Sequence, residues 1–433
     1  MFRRCLSAIV TACAIANAQP NDEVVTERAL GRFLSICEAQ GKAIWKASLC
    51  GPLIIVNRRT RSTVASQADP DAKFTKRGSV YVGLLPEKFE PSNTAIDWGG
   101  SKWTMVMAPL PADPFSQLSL ISHEAFHRVQ GELGLASSDQ PNAHLDSETG
   151  RLWLRMELRA LARALRTEND RELRESIADA LAFRARRYSL HPGARDREAS
   201  LERQEGLAEY TGVAIALHET GETVSRVART VEAFEDSDAY ARSFAYVTGP
   251  AQGILLDRIS PGWHARARAG VSVESLLIAA MNAQRAGSAE TSAARYGFRA
   301  VAAAERDREA QHQALLASLT KTFVNGPTLT LSAPGNLYRT FNPNELVPFG
   351  PDGTYYPTGT FRAKWGKLQV DSVGAILAPD NMSVRVSAPA DTKGQPMKGP
   401  GWTLELTPGW TARPKQGGGF ELIEANAGSA VHQ

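Results

Sequence analysis

The sequence predicts an α+β chain with a small amino-terminal β-sheet, a mostly helical central region and a β-rich carboxyl-terminal domain. Three observations carry this expectation. Apolar residues recur at helical spacing through the centre, as in Leu154, Leu158, Leu161 and Leu165, and the pattern persists to about Phe323. After Asn325, Gly326 and Pro327, glycine and proline become frequent, and short alternating segments take over, such as Met382, Val384, Val386 and Trp402, Leu404, Leu406. Ahead of the helices, residues 27–103 read as one helix followed by strands. The expected organisation is a leader over 1–18, a main domain over 19–323 and a β-sandwich or barrel-like accessory domain over 324–433, large enough for its own core.

The leader has a basic start at Arg3 and Arg4, an apolar run from Leu6 to Ala16 and a small-x-small end at Ala16, Asn17, Ala18. This predicts secretory cleavage before Gln19 and a secreted or periplasmic chain. Val10, Thr11, Ala12, Cys13 also resembles a bacterial lipoprotein box, so anchoring through Cys13 is the alternative, disfavoured by the short apolar run before it. No later segment supplies the roughly 20 uninterrupted apolar residues of a spanning helix. Removing Arg3 and Arg4 from a formal charge of +3 leaves +1, a balance that gives no argument for a nucleic-acid partner. Cys37 and Cys50 then remain as an even pair, and a disulfide is their expected state in an oxidising space, with two buried thiols as the alternative.

Within the main domain, Asp113 followed by Pro114 predicts a helix start: an acceptor at the N-cap, and proline where its missing N–H costs nothing. Leu118, Ile121 and Phe126 give that helix an apolar component, and Gly131 and Gly134 are stops. Asp146 is expected to cap the next helix, leaving Arg155, Arg159 and Arg166 to solvent. Further helices are expected near 171–188, 197–219, 238–259, 273–285 and 291–319, broken at Pro192 and Pro261. A strand over 103–110 is expected to present an unpaired edge on which an extended backbone can lie. Gly417, Gly418 and Gly419 form a turn without the lysine context of a phosphate loop.

The helix after Pro114 carries His123, Glu124, Ala125, Phe126, His127. Histidines four positions apart project from one helical face and can converge on one zinc ion, while Glu124 is placed to act as a base on water at the metal. A catalytic zinc commonly takes a third protein ligand, often a carboxylate. Glu148, Glu157, Glu202, Glu205 and Glu209 all lie on expected helices, and spacing alone does not choose among them. Glu205 is preferred because Gly206 beside it removes a side chain where another element must approach closely. Glu209, one turn on, is expected to orient the second nitrogen of a zinc-binding histidine, with an ordinary solvated helix charge as the alternative. His144, His191, His218, His264, His312 and His432 are isolated and read as local structure.

Together, the His-Glu-x-x-His helix and the later Gln204, Glu205, Gly206, Leu207, Ala208, Glu209, Tyr210 run resemble the gluzincin branch of zinc metallopeptidases, with an M1-like third-ligand turn. The resemblance implies a zincin-like fold over the main domain, zinc on His123, His127 and Glu205, and Glu124 as base. Tyr246, in Tyr246, Val247, Thr248, Gly249, resembles the tyrosine that steadies the tetrahedral oxyanion in those enzymes; a packing tyrosine between Phe244 and Val247 is the alternative. The match departs in two respects. The third ligand lies farther downstream than in those examples, and residues 103–108 lack the exopeptidase signature that captures a free amine. The expected function is therefore an exported zinc-dependent peptidase, more endopeptidase than aminopeptidase, acting on a peptide or protein. A non-catalytic zinc- or substrate-binding protein and an amidase of a non-peptide or cell-wall substrate are the alternatives. The sequence leaves the oligomeric state open.

Overall fold

The computed structural model describes residues 20–138, 140–237, 239–281, 288–342 and 345–425. The leader expected over 1–18, Cys13 included, lies outside the described residues. The chain divides into two compact units, one running to Ala302 and the other beginning at Ala303.

The first unit opens with α1 (Pro20–Trp45) and a six-stranded sheet of β1 (Leu53–Asn57), β2 (Ser62–Ala65), β3 (Thr75–Arg77), β4 (Val80–Leu84), β5 (Thr94–Trp98) and β6 (Ser101–Ala108), in the order β3-β4-β2-β1-β6-β5. Alternate residues of β1 face opposite ways, as strand geometry requires. Leu53 and Ile55 join the helical core, whereas Ile54 and Val56 join an aromatic-rich layer with Phe74, Trp98 and Trp103. Both faces are covered, which accounts for the unbroken apolar run of β1.

The strand expected over 103–110 is β6, and its expected unpaired edge does not exist along most of its length. β6 pairs with β1 in parallel on one side and with β5 antiparallel on the other, from Trp98 opposite Ser101 to Thr94 opposite Met105. The edge of the sheet on this side is β5, a short half-exposed segment returned by the turn at Gly99 and Gly100, both at positive φ. Beyond β5, the Met107 N–H donates to the Asn93 side-chain oxygen at 2.7 Å.

Helix α2 (Pro114–Gln130) starts as expected, with the Asp113 carboxylate accepting from the Ser116 N–H at 3.1 Å. Next come α3 (Glu148–Arg166), α4 (Asp170–Leu190) and α5 (Ala194–Leu201). Ser147, not Asp146, caps α3: Asp146 closes a 3-10 turn, and the Ser147 hydroxyl accepts from the Gly150 N–H. The helix expected from 197 to 219 is interrupted by a π-turn, Glu202–Gly206, before α6 (Leu207–Thr220). After it come α7 (Val224–Phe234), α8 (Ala245–Ile259), α9 (His264–Arg268), α10 (Val273–Ala280), α11 (Ala289–Ala293) and α12 (Phe298–Leu319). Of the α3 arginines expected in solvent, Arg166 is exposed and pairs with Glu232 of α7, whereas Arg155 and Arg159 are half-buried against Glu235 just past that helix. Among the described residues, no helix is long and apolar enough to cross a membrane.

A disulfide joins Cys37 on α1 to Cys50 just before β1. Arg128, the residue after His127, donates to the carbonyls of Leu49 at 3.1 Å and Cys50 at 2.7 Å. The cross-linked loop therefore braces the last turn of α2, next to His127.

The second unit packs a seven-stranded sheet against a five-stranded sheet. Leu329, Leu331, Val384 and Val386 of the larger sheet share one core with Phe361, Leu368, Trp402 and Leu404 of the smaller. Two sheets closing on one apolar layer make this a sandwich rather than a barrel. Leu319 and Phe323, at the end of the helical stretch, pack with Phe349, Tyr355 and Ile376 of this unit.

Candidate metal centre

Helices α2 and α6 lie side by side, and their facing residues mesh one turn at a time. His127 and His123 both face Glu205, His123 also faces Glu209, and Ser119 faces Gly212. The helices can come this close because Gly212 has no side chain; a Cβ there would stand 2.4 Å from the Ser119 carbonyl oxygen. Apolar residues on the rest of α2, including Leu118, Ile121, Ala125, Phe126 and Val129, anchor it in the core.

The two imidazole Nε2 atoms lie 3.0 Å apart, and Glu205 Oε2 is 3.5 Å from that of His123 and 3.3 Å from that of His127. Tetrahedral zinc with bonds of about 2.0–2.1 Å needs ligand atoms about 3.3 Å apart, so the spacing and the two-nitrogen, one-oxygen donor set both fit. His123, His127 and Glu205 thus form a cluster able to chelate a metal ion with the gluzincin arrangement. Each outer ring nitrogen is occupied. Glu209 Oε2 lies 2.8 Å from His123 Nδ1, and Gln130 Oε1 lies 2.8 Å from His127 Nδ1.

Glu124 is buried beside this cluster, and its Oε2 has no hydrogen-bond partner. Burial pushes its pKa up, against the opposing pull of His123 and His127. Burial resists a proton on His123, but hydrogen bonds to Glu205 and Glu209 and the charge of Glu124 outweigh it and raise the pKa to about 10. Burial likewise resists ionisation of Glu205, yet His123 and His127 hold its carboxyl well below the usual carboxylate range. Tyr246, partly exposed at the start of α8, stacks on the His123 ring at 5.7 Å and donates its hydroxyl to Glu205 Oε2 at 2.7 Å. Burial, then the charge of Glu205, push its pKa up.

The π-turn delivers Glu205 and is held from two sides. Glu202, at its start, is buried with its carboxylate on Arg184, the Thr248 hydroxyl at 2.7 Å and the Gln252 amide at 2.9 Å. Arg184 and Arg187 extend this ion network to Glu157, and Arg187 continues it to Glu198, which His144 also meets at 2.7 Å. Glu157 and Glu202, candidate ligands by spacing, are thus taken up as structural charges. His144 is more than local structure, since it ties the segment before α3 to this network.

On the other side, Gly206 faces Gly249 of α8, where an added Cβ would sit 2.4 Å from the Gly206 Cα. Gly249→Ala is therefore expected to destabilise the fold by about 1–3 kcal/mol, because backbone rather than a flexible side chain must yield. Gly206→Ala, whose Cβ would meet its nearest atoms at 3.2 Å, is expected to cost less. Urea unfolding of both variants checks the order, and equal stabilities would refute the close packing.

Comparison with protein-family models, curated proteins and solved structures finds no match to this chain. The site itself therefore carries the functional reading. Its two histidines, distal glutamate and adjacent buried carboxylate have the geometry of a catalytic zinc centre and support assignment as a zinc hydrolase.

Proposed function

We propose that this protein is an exported zinc-dependent peptidase that cleaves within peptides or proteins. His123 Nε2, His127 Nε2 and Glu205 Oε2 would hold the ion. The observation that carries the reading is the buried Glu124 carboxylate, its Oε2 without a hydrogen-bond partner, beside three ligand atoms at the spacing zinc requires. When bound, zinc would supply Lewis acidity, polarising a substrate carbonyl and making water more acidic. Glu124 takes the proton of the attacking water on its carboxylate and passes it to the departing amine nitrogen; a raised pKa suits a base that must hold that proton between the two transfers. The Tyr246 hydroxyl, which donates to Glu205 Oε2 in this structure, would turn to donate to the oxygen that gains charge as the carbonyl becomes tetrahedral, once the metal has taken up that carboxylate oxygen. The Cys37–Cys50 disulfide supports an oxidising, secreted or periplasmic location. The absence of an amine-capturing signature on β6 favours internal cleavage over removal of amino-terminal residues.

The test is digestion of a diverse peptide library with blocked amino termini, read by mass spectrometry. Internal cleavage that stops with a chelator and returns with zinc is expected; intact peptides under every metal condition would contradict the assignment.

Metal loading also has a proton signature. With a pKa of about 10 in the metal-free fold, His123 carries a proton at neutral pH that zinc must displace. Calorimetry in buffers of different ionisation enthalpy should show about one proton released per zinc near pH 7.5, and affinity rising with pH toward 10. No release at pH 7.5 would place that proton elsewhere.

A further inference from the structure

Gln130, the last residue of α2, is buried, and its side-chain amide bridges two parts of the ligand set that no backbone element connects directly. Its Nε2 donates to the carbonyls of Arg203 and Gln204, both at 2.9 Å, and reaches the Leu135 carbonyl at 3.3 Å. Three carbonyls facing one end of the amide fix its orientation, because the flipped group would set oxygen against oxygen. The Oε1 atom must then face His127 Nδ1, 2.8 Å away. An amide oxygen only accepts, so His127 Nδ1 carries the hydrogen. With zinc bound, the neutral ring would then offer its Nε2 lone pair to the ion, beside Glu205 Oε2. The same amide holds the two residues immediately before Glu205, within the π-turn.

We propose that Gln130 is a positioning residue for the metal centre. Its oxygen selects the His127 tautomer whose Nε2 is free to bind, and its nitrogen sets the turn that presents Glu205. One buried side chain thereby fixes two ligands drawn from different helices relative to each other. The inference rests on the ligand set proposed above and assigns Gln130 the part at His127 that Glu209 takes at His123.

Gln130→Met keeps the length of the side chain and removes both polar ends. Zinc affinity, measured by competition with a chelator, should fall about 10- to 100-fold, the usual consequence of losing the group that orients a ligating histidine. The near-UV circular dichroism of the metal-free chain should be unchanged. In the zinc-loaded, unaltered protein, the His127 Nδ1–H should appear in nitrogen-15 NMR as a slowly exchanging proton, and in Gln130→Met it should exchange rapidly. A side chain that only fills space would lower thermal stability without moving zinc affinity or ring-proton exchange, and that result would overturn the proposal. Should Gln130→Met not fold, the unaltered protein still decides: an Nδ1-protonated, slowly exchanging His127 supports the proposal, and an Nε2-protonated ring overturns it. Failure of the unaltered chain to take up zinc would instead overturn the ligand set on which the proposal stands.

Discussion

Glu124→Gln is expected to reduce turnover of a cleaved peptide by at least about 100-fold while leaving zinc stoichiometry unchanged. Glutamine occupies the same buried position but cannot take a proton from water. The unpartnered oxygen at Oε2 is the reason to expect so specific a loss, since the carboxylate spends no hydrogen bond there on holding the fold together. Single-turnover kinetics on zinc-loaded protein would separate the chemical step from substrate binding. Turnover within about threefold of the unaltered chain would remove Glu124 from proton transfer.

The second large effect distinguishes a ligand from a residue that orients one. Glu205→Gln should weaken zinc binding well beyond the about 10- to 100-fold expected of Glu209→Gln, because it removes a charged oxygen from the coordination set itself. His123→Ala and His127→Ala should leave the site empty at limiting free zinc. Chelator competition across the four variants gives the order directly. If Glu209→Gln proved the more damaging, the carboxylate ligand would lie one helical turn farther along α6.

Much of this arrangement could be read from the sequence because it repeats at helical spacing. His123 and His127 share a face by their separation of four, and Glu209 stands four residues beyond Glu205 across the junction of the π-turn with α6, so both carboxylates meet the histidine face of α2. Gly206 likewise signalled a close approach, and α8 is the element that makes it, through Gly249. Other parts depend on contacts that no local pattern encodes. Gln130 belongs to no motif, and its importance comes from the carbonyls of Arg203 and Gln204, far away in the chain. The π-turn at Glu202–Gly206 adds a residue to an otherwise regular helix, and the buried pairing of Glu202 with Arg184 that accompanies it is a tertiary event. The edge strand β5 was obscured for another reason. Three of its five residues are half-buried, Asp97 is exposed and only Trp98 is buried, whereas the neighbouring β6 has the strong apolar signal of an interior strand, so the sequence pattern marks β6 and not the strand that forms the edge.

The most direct test of the metal centre is anomalous diffraction at the zinc absorption edge from crystals of the zinc-loaded chain. The account predicts one peak per chain, about 2.0–2.2 Å from His123 Nε2, His127 Nε2 and Glu205 Oε2. A peak on any other set of side chains, or none at stoichiometric zinc, would contradict it.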